Sequence, residues 1–134
     1  MMNNVIVCLG SNWDKEKNIE IADHLLRSYF ISIRFSETVY TEPVDIENPS
    51  LFLNQVAVAL TPDSFDKIIA VFKQMEKLLG RKPEDKSKGN IPIDIDLLQW
   101  NDRVLKPYDL QRPYVQSALN RLFDIDQEYE GSQQ

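Results

Sequence analysis

Between Ile91 and Trp100 the chain reads Ile-Pro-Ile-Asp-Ile-Asp-Leu-Leu-Gln-Trp. Ile91, Ile93, Ile95 and Leu97 recur at every second position, the period of a β-strand. Side chains two apart on a strand share a side, so Asp94 and Asp96 fall on one face and the isoleucines on the other. The apolar face needs a covering layer, and the acidic face needs a counter-charge. Two carboxylates roughly 6–7 Å apart repel each other until a cation relieves them. Mg²⁺ is held by one or two carboxylates, with water and phosphate oxygens completing its octahedron. The pair therefore reads either as a platform for Mg²⁺ and phosphate or as a solvated strand face carrying two acids. Residue types alone leave both open.

The rest of the chain narrows the class. At 134 residues with 43% hydrophobic and 27% charged residues, it is read as a single domain, 1–134, with a core of its own. A frayed tail is expected from about Glu128. No apolar run reaches membrane-spanning length, and Val5–Leu9 is too short for a signal peptide. A single cysteine, Cys8, fits a reducing compartment and is read as a small buried apolar residue. A cytoplasmic location, no membrane partner and a monomeric state are the expectations. A net charge of −6 argues against a general nucleic-acid partner. His24 falls off the apolar stripe and reads as solvated, and neither Trp13 nor Trp100 draws a role.

Periodicity divides the chain into alternating elements. Val5–Leu9 reads as a buried strand ended by the turn residues Gly10-Ser11-Asn12. Ile19, Ala22, Leu25, Leu26 and Tyr29 give a helix from about Lys15 to Tyr29. Ile31–Val39 reads as a second strand, with Ile31, Ile33 and Phe35 inward, and Phe52–Leu60 as a third. Thr61-Pro62 reads as a helix start, with Thr at the N-cap and Pro at N1. Phe65, Ile68, Ile69, Phe72, Met75 and Leu79 form the stripe of that helix, and Gly80 ends it. A charged loop from Arg81 to Asn90 precedes the acidic strand, and Val104-Leu105 returns after a turn at Asn101-Asp102. From Lys106 onward the periodicity is weaker. The order β-α-β-β-α-β predicts an α+β, ferredoxin-like arrangement: one antiparallel sheet with helices on one face. That fold hosts many functions and names none.

Several short pieces occur in order: Gly10-Ser11-Asn12, Tyr40-Thr41-Glu42-Pro43, Phe52-Leu53-Asn54, Glu76 with Gly80-Arg81, and Asp94-Ile95-Asp96. As an ordered set they resemble the 6-hydroxymethyl-7,8-dihydropterin pyrophosphokinases of folate biosynthesis, over roughly Val5 to Leu98. The resemblance implies a ferredoxin-like fold and Mg²⁺-dependent transfer of the β,γ-pyrophosphoryl group of ATP to a reduced hydroxymethylpterin. It implies that Asp94 and Asp96 hold two Mg²⁺ with ATP and, with Arg81, form the catalytic centre. Asn54, Thr41, Glu42 and Val44 would meet the pterin edge, Phe52 would stack on its ring, and Ser11 and Asn12 would line the substrate side. Glu76 and Arg81 match positions near the nucleotide.

The chain also departs from the family pattern. Ile91 stands where the family loop carries a phosphate-contacting arginine, so Lys82, Lys86 or Lys88, chiefly Lys86 or Lys88, would have to supply cations there. Tyr114, after Pro113, is matched to the family's Pro-His and read as a nucleotide-side residue. The tail admits two registers. One puts Arg121 and Phe123 on the family's Arg-x-Phe, a phosphate contact and a second stacking partner. The other puts Leu122-Phe123-Asp124-Ile125 on a later segment and deletes both. Three readings follow: an active pyrophosphokinase with a variant ATP loop, a degenerate relative that binds pterin or nucleotide without efficient transfer, or an unrelated interaction domain whose acids are incidental.

Overall fold

A computed structural model describes residues 1–43, 49–85 and 89–132, with the backbone alone for 125–132. The described elements are β1 (Asn3–Ser11), α1 (Lys15–Tyr29), β2 (Ser32–Phe35), β3 (Val39–Thr41), β4 (Phe52–Thr61), α2 (Phe65–Leu78), β5 (Asp94–Trp100), β6 (Arg103–Val104), α3 (Pro107–Leu110) and α4 (Pro113–Ser132). The sheet runs β2-β4-β1-β5-β6, with β3 pairing β4 beyond β2, and the pairings are antiparallel. This is the ferredoxin-like order that the β-α-β-β-α-β reading predicts.

Alternation along the strands decides the layers. Val5, Val7 and Leu9 of β1, Ala57 and Ala59 of β4, and Ile95 and Leu97 of β5 pack with Ile19, Ala22 and Leu26 of α1 and Ile68, Phe72 and Met75 of α2. The other face carries Val56 and Leu98, and α3 and α4 cover it with Leu110, Val115, Ala118 and Leu119. The two helices of the repeat thus share one face as expected, and the C-terminal segment supplies a layer on the other. Val115, Ala118, Leu119 and Leu122 are spaced as one helical stripe. Pro113 sits at the first position of α4, where a missing N–H costs nothing, and the Arg112 carbonyl accepts from Gln116 N at 3.0 Å.

Three expectations are corrected in detail. The second strand is two: the chain leaves β2 at Ser36, whose Oγ accepts from Val56 N and whose backbone N–H donates to Val56 O, and resumes at β3. Ile31 precedes β2 and is 74% exposed, while Ile33 and Phe35 do pack inward. The cap of α2 is Ser64, whose Oγ accepts from Lys67 N; Thr61 is the last residue of β4, still paired with Asn3. At the far end of α2, Gly80 takes φ +90°, with Gly80 N donating to Lys77 O and Arg81 N to Glu76 O. Those two bonds make a left-handed helix stop that only glycine adopts without strain, and they aim Arg81 back at β5.

Helix α1 carries one ill-matched group. Asp23 packs toward β4, where its Oδ1 and the Oε1 of Gln55 are both buried without a hydrogen-bond partner. Burial pushes its carboxyl up to about 6, against the Gln55 amide and the Arg27 charge, which pull it down. Folded Asp23 therefore keeps its proton between about pH 4 and 6, where the unfolded chain has lost it. The stability it lends is complete below about pH 4 and declines as the pH rises through 6. Asp23→Asn should remove that decline and be more stable than the native chain at pH 8 by about 1 kcal/mol, after discounting for solvent screening. Urea unfolding at pH 5 and pH 8 checks this, and a variant no steadier than the native chain at pH 8 would refute it.

Candidate active site

The register of the sheet assembles the site. Gly10 of β1 lies opposite Asn54 on one side and Asp94 on the other, and Cys8 lies opposite Val56 and Asp96. The face shared by Asp94, Asp96, Cys8, Gly10, Asn54 and Phe52 looks toward α3 and the start of α4. A cleft of about 260 Å³ opens there, lined also by Thr41, Glu42, Asp109, Arg112 and Tyr114. A Cβ at Gly10 would come within 3.3 Å of Asn54 Oδ1, so glycine leaves the cleft floor open.

Arg81 anchors the acidic end. Its Nη1 donates to Asp94 Oδ1 at 2.7 Å, to Glu76 Oε2 at 2.9 Å and to Ile93 O at 3.3 Å. Glu76 Oε2 also accepts from Ile95 N at 2.8 Å. Asp96 has a looser partner, Lys106 Nζ, 3.2 Å from its Oδ1. The two acids are electrostatically unlike. Burial works to raise Asp94, but the Arg81 guanidinium and Asp96 hydrogen bonding outweigh it and hold the carboxyl below its ordinary range. Burial and the Asp94 charge push Asp96 up to about 6, with Lys106 pulling back. Burial likewise pushes Glu76 up to about 7 against the Ile95 amide and Arg81.

At the other end, Asn54 is 5% exposed. Its Nδ2 donates to Thr41 Oγ1 at 2.6 Å and to Val39 O at 3.4 Å, and its Oδ1 faces Gly10 on the cleft floor. Phe52 and Tyr114 supply aromatic walls, and the Arg112 guanidinium stacks over the Tyr114 ring at 4.9 Å. The Tyr114 hydroxyl meets Cys8 Sγ at 3.4 Å. Burial pushes the Cys8 thiol up to about 11, so it stays protonated, and raises Tyr114 as well.

Most of the expected residues converge on this cleft: Asp94, Asp96, Thr41, Glu42, Phe52, Asn54 and Tyr114 line it, with Arg81 and Glu76 bracing its acidic end. Ser11 and Asn12 do not line it. Ser11 Oγ donates to Trp13 O and Ile91 O, while Asn12 Nδ2 donates to Gly89 O at 2.6 Å and Asn12 Oδ1 accepts from Ile91 N at 2.6 Å. Both side chains are spent holding residues 89–91 against the end of β1. Val44, Lys86 and Lys88 lie outside the described residues. Neither Arg121 nor Phe123, the phosphate contact and stacking partner of the first tail register, lines this cleft. Arg121 is 72% exposed and pairs loosely with Glu37 at 3.7 Å, and Phe123 sits near Asn4 and Val58, away from the cleft. From the C-terminal segment, Arg112 and Tyr114 reach the cleft, in the triplet Arg112-Pro113-Tyr114. Sequence reasoning missed Arg112 and Lys106; the signal for the first was an Arg-Pro-aromatic triplet opening the α4 stripe.

Comparison with known proteins gives the family. The family model for 7,8-dihydro-6-hydroxymethylpterin-pyrophosphokinase matches residues 6–125. The chain belongs to that family. A pyrophosphokinase of this family from Aquifex aeolicus (strain VF5), 2-amino-4-hydroxy-6-hydroxymethyldihydropteridine pyrophosphokinase, is 35% identical over 115 residues, covering 84% of this chain and 71% of the relative. A folate synthesis bifunctional protein of Arabidopsis thaliana is 30% identical over 135 residues, covering 91% of this chain and 28% of that protein. A mitochondrial counterpart from Pisum sativum is 30% identical over 125 residues, covering 86% and 24%. The chain thus spans about a quarter of the length of the bifunctional relatives. Among the described residues, no helix is long and apolar enough to cross a membrane.

Proposed function

We propose that this chain transfers the β,γ-pyrophosphoryl group of ATP to the hydroxymethyl oxygen of a reduced pterin, an Mg²⁺-dependent step of folate biosynthesis. The observation that carries it is a single cleft with two carboxylates, Asp94 and Asp96, at one end and the Asn54–Thr41 pair at the other. In the transfer, the hydroxymethyl oxygen bonds to the β-phosphorus, the bridge to the α-phosphate breaks, and AMP leaves. Such transfer rests on positioning and charge stabilisation, so no dominant side-chain base is required.

The donor set fits hard cations: two carboxylates on one strand face, with no third acid, histidine or cysteine grouped to complete a shell among the described residues. Asp94 and Asp96 would hold the two ions, leaving the other positions to phosphate oxygens and water. Bound Mg²⁺ supplies charge neutralisation and orientation at the phosphates. Arg81 keeps Asp94 ionised and fixed in rotamer. Asn54 would offer its Oδ1 to the pterin edge, its Nδ2 already donating to Thr41 Oγ1 and Val39 O. Phe52 and Tyr114 stack the ring, and Arg112 supplies the forked cation that the family draws from its Arg-x-Phe.

One observation favours a second reading, a family member that binds without efficient transfer. Ile91, where the family has a phosphate-contacting arginine, is apolar, with its backbone N–H and C=O taken by Asn12. Release of AMP from ATP, Mg²⁺ and reduced hydroxymethylpterin separates the two: turnover supports the first, and pterin binding without AMP supports the second. In the same assay Asn54→Ala should weaken pterin binding by about 1–3 kcal/mol, the cost of leaving buried ligand groups unpaired. Undiminished pterin affinity would place the ring elsewhere.

A further inference from the structure

The two cations on the aspartates are held in different ways. Arg81 Nη1 has three acceptors, on Asp94, Glu76 and the Ile93 backbone, and its side chain is 23% exposed. Lys106 Nζ pairs with Asp96 among the described residues, and its side chain is 45% exposed. The backbone beneath Lys106 is rigid: its N–H donates to Leu98 O and its C=O accepts from Leu110 N at the start of α3. A flexible four-carbon stem with three rotatable donors thus stands on a fixed post beside the cleft. A dication on Asp96 and an ammonium at 3.2 Å from its Oδ1 compete for the same oxygen and repel each other.

We infer that Lys106 is a two-position cation: it neutralises Asp96 until a divalent metal takes that carboxylate, then swings to the polyphosphate that arrives with the metal. The inference rests on the pyrophosphokinase reading and extends it to a residue outside the expected site. Arg81, locked among three acceptors, cannot make this exchange and stays with Asp94. Arg112, stacked on Tyr114, also lines the cleft. Among the described residues, Lys106 is the cation paired with Asp96 and half-exposed enough to move.

The test compares the native chain with Lys106→Met and Lys106→Arg, using Mn²⁺ as a paramagnetic probe of metal binding with and without a non-hydrolysable ATP analogue. Without nucleotide, Lys106→Met should bind Mn²⁺ roughly two- to fivefold more tightly, because an exposed ion pair no longer competes for Asp96. Lys106→Arg should bind it less tightly, since a forked guanidinium holds the carboxylate harder. At saturating metal, Lys106→Met should bind the analogue roughly ten- to a hundredfold more weakly, for want of one charge-assisted contact. Mn²⁺ affinity that is unchanged or weaker in Lys106→Met, or analogue affinity equal to native, overturns the exchange. If the native chain and Asp96→Ala bind the metal–analogue complex equally, the metal assignment itself fails and takes this inference with it.

Discussion

Alanine in place of Asp96 should lower the rate of AMP release by roughly a thousandfold, equivalent to about 4 kcal/mol of activation free energy, while the fold stays intact. The size follows from the donor count. With two carboxylates on the strand face, removing one halves the protein's hold on the metal that must neutralise the phosphates. The intact fold follows from the pairing: Asp96 meets a half-exposed lysine at 3.2 Å, an ion pair of a kind worth at most about 1 kcal/mol. Its removal also relieves repulsion from Asp94. The matching change at Asp94 should abolish turnover as thoroughly and cost stability too, because Arg81 loses one of its two carboxylate partners. Turnover at saturating substrates, read beside thermal melts, checks both. Native-like turnover in a folded Asp96→Ala protein would end the metal assignment.

Leu98→Ala should destabilise the chain by about 2–5 kcal/mol, the cost of a cavity beneath a fully buried leucine. Leu98 is 0% exposed and packs with Leu110, Val115, Ala118 and Leu119. It is also the odd residue of a bulge: Val7 faces Leu97 and Ile6 faces Gln99, so Leu98 has no opposite number on β1. Bulges beside active sites re-aim neighbouring groups, and here the Leu98 carbonyl receives both Leu105 N and Lys106 N. The lost side chain therefore loosens the layer that delivers Lys106, Arg112 and Tyr114. The urea midpoint should fall with the slope unchanged, and turnover should fall below what the folded fraction accounts for. A loss under about 1 kcal/mol would mean that the C-terminal layer is not packed on the sheet as described.

What could be read from the chain alone follows the strength of each period. The stripe from Ile19 to Tyr29 places α1 at Lys15–Tyr29 as observed, and the alternation around Asp94 and Asp96 sorts the two faces of β5 correctly. Thr61-Pro62 misled because its local chemistry suits a helix start, yet cross-strand pairing with Asn3 keeps Thr61 in β4 and hands the cap to Ser64. Ser36 broke a strand that looked continuous because its hydroxyl and N–H both satisfy Val56 of the neighbouring strand, a bond between distant residues that no local window contains. The same limit hid Lys106, which reaches Asp96 only after the chain turns at Asn101 and passes β6. Tyr114 was legible through the pair Pro113-Tyr114, whereas Arg112 drew no reading, and only one of the two tail registers gave Arg121 a role; its side chain is 72% exposed.

The bond from Ile95 N to Glu76 has a consequence for how copies of this chain meet. Among the described residues, β6 pairs with β5 at Gln99 and Trp100, and no strand pairs with the outer side of its Asp94–Ile95 end. Open margins invite another strand to zip on, the first step toward insoluble fibres. Here the Ile95 amide that an incoming chain would grasp already donates to the Glu76 carboxylate. A newcomer would have to bring its own carbonyl oxygens against Glu76 and Asp94, negative against negative. The cluster that braces Asp94 thereby also guards a raw edge against misassembly at the concentrations at which folding chains collide.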